Sequence, residues 1–148
     1  MKLSTRSRYG LRFLVELAAH NKTGPVFLRE ISEKQKISEK YLSKLVIPLK
    51  GAKIISSIRG TGGGYFLARP PEKITLREIV EVLEGDIDPV ACVGDKDVCS
   101  SAAECVTREI WCGLGKQIHD YLESLTLGTV VEKYLEHNKN KDPFNYHI

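Results

Sequence analysis

The chain has 148 residues, 42% of them hydrophobic and 28% charged, which is the composition of an ordinary folded protein and the length of one domain or of a small head with an appendage. No apolar run approaches the ~20 residues of a membrane span, and the first residues carry Lys2, Arg6 and Arg8 without a cleavable apolar core, so a cytoplasmic protein is expected. The net charge of +3 conceals a division: up to Lys73, 15 Lys and Arg face 5 Asp and Glu, a net of +10, whereas from Ile74 onward 7 basic residues meet 14 acidic ones, a net of −7.

Leu11, Leu14, Leu17 and Ala18, with Tyr9 and Phe13 beside them, fall at helical spacing and predict a first helix from Arg6 to His20. Asn21 to Pro25 predict a turn, and a short helix follows from Leu28 to Lys34 with Leu28 and Ile31 inward. Gln35 to Ile37 break it. The Ser38 hydroxyl can accept from an otherwise unpaired N–H one turn later, and Glu39 suits the positive end of a helix dipole. A third helix is therefore expected to start there and run to Lys50, burying Leu42, Leu45, Val46 and Leu49, with Pro48 as a candidate kink.

The period then changes. Ile54 to Ile58 and Tyr65 to Ala68 read as strands, joined by Arg59-Gly-Thr-Gly-Gly-Gly64 into a hairpin with a glycine-rich tip. A fourth helix is predicted from Thr75, with Glu78 completing a capping box, to Gly85. Asp86 to Glu104 shows no period and reads as an ordered loop of functional length that holds Cys92 and Cys99. A long helix resumes from Cys105 to Leu125. Within it Trp111, Ile118 and Leu125 recur every seven residues, with Leu114 and Tyr121 between them. Such a heptad seam wants a partner helix, which makes these five the candidate dimerisation residues. A short helix over 126–135 and a polar tail over 138–148 close the chain.

Three helices and a hairpin in a basic segment of about 70 residues have the layout of a winged helix-turn-helix. The fold class expected is mainly α with a small β-hairpin, divided into a DNA-binding head (1–73), a linking helix and cysteine loop (74–104), a dimerisation helix with a short C-terminal helix (105–137) and the tail (138–148). In this layout the helix after Ser38 enters the major groove. Ser38, Lys40, Tyr41, Ser43 and Lys44 are then candidate contacts to bases or phosphates, and Arg59 at the hairpin tip is the candidate minor-groove contact. Gly60 to Gly64 do not form a nucleotide-binding loop, because a strand follows and neither the Walker nor the dinucleotide spacing is present. The four histidines are scattered and near no catalytic partner, so an enzyme is not expected.

The four cysteines are spaced Cys92-x6-Cys99-x5-Cys105-x6-Cys112. In a cytosolic protein such a cluster points to metal or redox chemistry rather than disulfides. The gaps are wider than zinc knuckles and suit a loop around a larger inorganic cluster, with a zinc site or bare thiols as the alternatives.

Together these residues resemble the Rrf2 family of bacterial transcription regulators, which includes cluster-sensing members. The resemblance rests on Met1-Lys-Leu-Ser-Thr-Arg-Ser-Arg-Tyr9, Ile37-Ser-x-x-Tyr-Leu42, Ser57-Ile-Arg-Gly-Thr-Gly-Gly-Gly-Tyr65 and Ile79-Val-x-x-Leu-Glu-Gly85. It continues through the cysteine loop, Cys105-Val-Thr-Arg-Glu-Ile-Trp111 and Leu125-Thr-Leu-Gly128. It implies a homodimer joined through the long helix and double-stranded operator DNA bound by the helix after Ser38 and by Arg59. It also implies an iron–sulfur cluster, 2Fe–2S or 4Fe–4S, held by Cys92, Cys99 and Cys105 and reporting cluster status or redox or nitrosative signals. The fourth ligand departs from the family: Arg108 stands where some members have histidine, and Arg8 where others have an acidic residue. Cys112 is the possible substitute, although seven residues of continuous helix would place it about 10 Å from Cys105. Asp95, Asp97, Glu104 and Thr107 remain as alternative oxygen donors.

Overall fold

In the computed structural model, which describes residues 3–20 and 23–141, the chain runs α1 (Thr5–Ala19), α2 (Leu28–Gln35), α3 (Glu39–Gly51), β1 (Ile55–Ile58), β2 (Gly64–Leu67), α4 (Leu76–Glu84), a single-turn α5 (Ala91–Gly94), α6 (Val106–Ser124) and α7 (Leu127–Lys139). Asn21 and Lys22 of the expected turn and residues 142–148 of the expected tail lie outside the described residues. The fold is mainly helical with one antiparallel hairpin, as the sequence indicated. Among the described residues no helix is long and apolar enough to cross a membrane.

Helix α1 is the axis of the core. Residues 13–18 are all buried, because α2, α3, α4 and α7 pack around the helix. Burying a side chain such as Phe13, Leu14 or Leu17 contributes ~1.5–3 kcal/mol each. Leu42, Leu45, Val46 and Leu49 form the inner stripe of α3, and Leu76, Ile79, Val80 and Leu83 that of α4. The same apolar cluster takes in Leu127 and Val131 of α7, so the C-terminal helix completes the core of the head.

The wing pairs Ile55 with Leu67 and Ile58 with Gly64, and Val26 extends it by exchanging backbone hydrogen bonds with Tyr65 at 2.9 and 2.8 Å. This isolated bridge explains Gly64. Its φ is +130°, and a Cβ there would lie 2.7 Å from the Val26 carbonyl oxygen. A second backbone clasp joins the start of α4 to the α6–α7 junction, where Leu76 N donates to Leu125 O at 2.9 Å and Leu127 N to Ile74 O at 2.8 Å.

Three local details differ from the sequence expectation. The capping box at Thr75 is half formed: Thr75 Oγ1 accepts from Glu78 N at 3.2 Å, but the Glu78 carboxylate pairs with the Arg69 guanidinium instead. The segment over 86–104 contains α5 and a 3-10 turn at Lys96–Val98. Helix α7 runs to Lys139 rather than Leu135, with His137 and Lys139 in a last turn whose negative dipole end they suit.

Candidate DNA interface and cysteine loop

Helix α3 starts where its cap dictates. Ser38 Oγ accepts from Tyr41 N at 3.2 Å, so the Ser38 side chain is engaged at the helix end. Lys40, Ser43 and Lys44 are exposed, and Ser43 Oγ donates to Lys40 O at 2.8 Å. Tyr41, expected on the solvent side, is half-buried. Its hydroxyl lies 2.9 Å from Thr5 Oγ1 and its ring meets Tyr9 edge-on at 5.8 Å, because α1 crosses close to this turn. Arg59 is exposed at the hairpin tip, and Lys50 Nζ donates to Ser57 Oγ at 2.8 Å, tying the end of α3 to the wing.

Sequence reasoning missed Arg6. On α1 it lines the same hollow as Lys44 and Tyr41, of about 390 Å³, and so adds a cation beside the outer face of α3. Its distance in sequence from α3 hid this. Arg12 is already occupied, with its guanidinium on Gln35 and over the Tyr9 ring.

Cys92 is half-buried on α5, Cys99 is exposed, Cys105 is the N-cap residue of α6 and Cys112 is half-buried on that helix. Cys99 Sγ lies 3.3 Å from Ser101 Oγ, and that contact holds the thiol below its ordinary pKa. The Thr107 hydroxyl, 3.3 Å from Cys105 Sγ, followed by the Arg108 backbone N–H, does the same for Cys105. Thiolate is the metal-binding and nucleophilic form, so both groups are suited to ligation or to oxidation. The donor chemistry thus fits a thiolate-held cluster, but among the described residues no group of three or more His, Cys, Asp or Glu side chains is placed to hold a metal ion. Arg108 donates through Nε to Cys92 O at 2.9 Å, so it braces the loop backbone. Cys112 follows Cys105 by two turns of unbroken helix, a rise of about 10 Å.

On α6 the five seam residues divide. Trp111, Leu114 and Tyr121 are exposed, whereas Ile118 is half-buried and Leu125 packs on the core cluster. The apolar stripe left open also includes Val106 and Ile110, which are 80% and 63% exposed and which a strict seven-residue count passes over.

A family model described as Rrf2, iron-dependent transcriptional regulator, matches residues 3–133. The HTH-type transcriptional regulator CymR of Bacillus subtilis is 41% identical over 127 residues, which cover 86% of this chain and 87% of that one. The HTH-type transcriptional regulator IscR of Aliivibrio salmonicida is 34% identical over 131 residues, 88% of this chain and 77% of that one. The solved structure of CymR, the global cysteine regulator of B. subtilis, aligns with a TM-score of 0.76 at 38% identity, covering 90% of this chain and 98% of that chain.

Proposed function

The chain belongs to the Rrf2 family of transcriptional regulators, and from that premise we propose that it is a cytoplasmic homodimer whose affinity for operator DNA is set by an iron–sulfur cluster on the cysteine loop. Its function is regulation rather than catalysis. The observation that carries the reading is the placement of Cys92, Cys99 and Cys105 on one surface segment between α4 and α6, two of them with acidified thiols. A cluster bound there supplies a redox- and ligand-sensitive centre, and the iron dependence in the family description agrees with it. Cys92, Cys99 and Cys105 would hold it, with Cys112 or an oxygen donor completing the set.

The head supplies the DNA contacts. Lys40, Lys44 and Arg59 are exposed on its surface beside Ser43, whose hydroxyl is engaged with Lys40 O, and Ser38 and Tyr41 hold the helix end that presents them. The apolar stripe of α6 supplies the dimer. Exposed groups of that size in a row are what an obligate partner helix covers, and in a twofold dimer the same stripe serves both copies.

A second reading, thiol sensing without metal, is favoured because among the described residues no such donor group is placed to hold a metal ion. Iron and acid-labile sulfide per chain, measured on protein purified without oxygen, separate the two. Stoichiometric iron and sulfide, lost in Cys92→Ala with the dimer intact, support the cluster. A wild-type protein free of iron and sulfide sinks it and leaves the thiol reading.

A further inference from the structure

Three glutamates on α4 hold three different neighbours. At 100° per residue, side chains three positions apart fan through about 120° over six residues. Glu78 pairs with Arg69 at the base of the wing. Glu84 accepts from Ser4 and Ser7 at the start of α1. Glu81, between them, takes Arg77 Nε at 2.8 Å and faces His119 Nδ1 of α6 at 3.6 Å.

The other ring nitrogen of His119 lies 2.9 Å from Asp88 Oδ1, at the root of the cysteine loop. The imidazole is thus held between a carboxylate of α4 and one of the loop, with the His119 side chain 21% exposed and that of Asp88 13%. Asp88 is itself seated. Its N–H donates to Asp86 Oδ1 at 2.8 Å, and a Cβ on Gly94 of α5 would stand 2.8 Å from its Oδ2. Helix α6 therefore grips the loop at two points, Asp88 through His119 and Cys92 through Arg108, and the first of these also touches α4.

We propose that His119 is the positioning residue that seats the cysteine loop against α4, and that the Asp88–His119–Glu81 bridge carries a rearrangement of the loop to the helix that also holds the wing base and the start of α1. The proposal rests on the reading of the loop as the sensing element. Histidine suits the place because in its protonated form both nitrogens, on opposite edges of a rigid ring, are donors and can each meet a carboxylate.

Backbone hydrogen exchange of residues 86–94 in the full-length, metal-free chain tests the seating. His119→Ala and Asp88→Ala should each raise exchange about tenfold, the effect of losing one charge-assisted hydrogen bond. The double variant should go no further than either single one, since both remove the same contact. Unchanged exchange in the single variants, or effects that simply multiply in the double, would overturn it. The transmission is read from operator affinity. His119→Gln keeps a donor for Asp88 and loses Glu81, so the ratio of affinities between iron-loaded and iron-free protein should fall towards one, with iron content and melting temperature as in wild type. A ratio equal to that of wild type would refute the coupling. Should wild-type protein contain no iron, the cluster reading alone fails, the exchange cycle stands as the test of the seating, and alkylated and free-thiol protein become the pair whose affinities are compared.

Discussion

Ser7 donates its hydroxyl to Glu84 at 2.5 Å, across 77 residues of sequence, and so joins the first turn of α1 to the last turn of α4. The same carboxylate oxygen accepts from Ser4 N at 2.9 Å and Ser4 Oγ at 2.8 Å. A carboxylate at a helix N-terminus satisfies unpaired N–H groups and meets the positive dipole end. Desolvation opposes the charge, but the hydrogen bonds from Ser7 and Ser4 outweigh it and hold Glu84 below its ordinary pKa.

Glu84→Ala should therefore lower stability at pH 7 by ~1–2 kcal/mol, the range of a lost helix cap. Because the folded-state pKa is depressed, this stabilisation is present above the unfolded value and disappears as pH falls through the folded one. Urea unfolding at a series of pH values should show wild type and variant beginning to converge as pH falls below the ordinary glutamate value of about 4.3, and meeting only below the depressed folded-state value. A gap that stays constant into acid would mean that the ionised carboxylate is not what holds the two helices.

Glu16 is fully buried on α1. Burial opposes its charge, yet Lys34, Tyr134 and Gln35 together hold its pKa low. Gln35 Nε2 donates to Oε1 at 2.6 Å and Tyr134 OH donates to the same oxygen, while Lys34 Nζ forms an ion pair with Oε2 at 2.7 Å without an aligned hydrogen bond. Tyr134→Phe should cost ~1–2 kcal/mol and leave a carboxylate that protonates more easily. Stability should then begin to fall at a higher pH than in wild type. An acid limb that does not move would remove the tyrosine from the network.

Arg59→Ala should weaken operator binding with iron content and dimer mass unchanged. If the guanidinium neutralises one phosphate or lines the minor groove, the slope of log affinity against log salt should drop by about 1. Titration by fluorescence anisotropy at several salt concentrations gives both numbers, and a wild-type slope with wild-type affinity would exclude the wing from the interface.

In metal-free protein Cys99 and Cys105 should alkylate at neutral pH faster than a free cysteine thiol, whose pKa is about 8.5. Ser101→Ala should slow Cys99 alone and Thr107→Val should slow Cys105 alone, since each removes one hydroxyl contact. Mass spectrometry of the labelled peptides resolves the two sites, and equal loss at both would show that the hydroxyls do not act locally.

Much of this was legible in the chain itself. Apolar spacing set α1, α3 and α6, the Ser38 and Thr75 hydroxyls marked helix starts, and the glycine run marked the hairpin, because each signal acts within a few residues of backbone. The family could be read from motifs for the same reason. What local spacing could not carry was decided by packing. Tyr41 turned inward because α1 brings Tyr9 and Thr5 to it, and Glu78 left its capping box because the wing brings Arg69 within reach. The heptad count gave five seam residues, but the side of α6 left open depends on where α4 and the core lie, which withdraws Leu125 and exposes Val106 and Ile110. His119 had no role in the sequence because its partners, Asp88 and Glu81, lie 31 and 38 residues away and meet it only when α6 folds back along α4. Local signals determined which elements form, and long-range contact, which no window of sequence contains, decided which side chains they bring together.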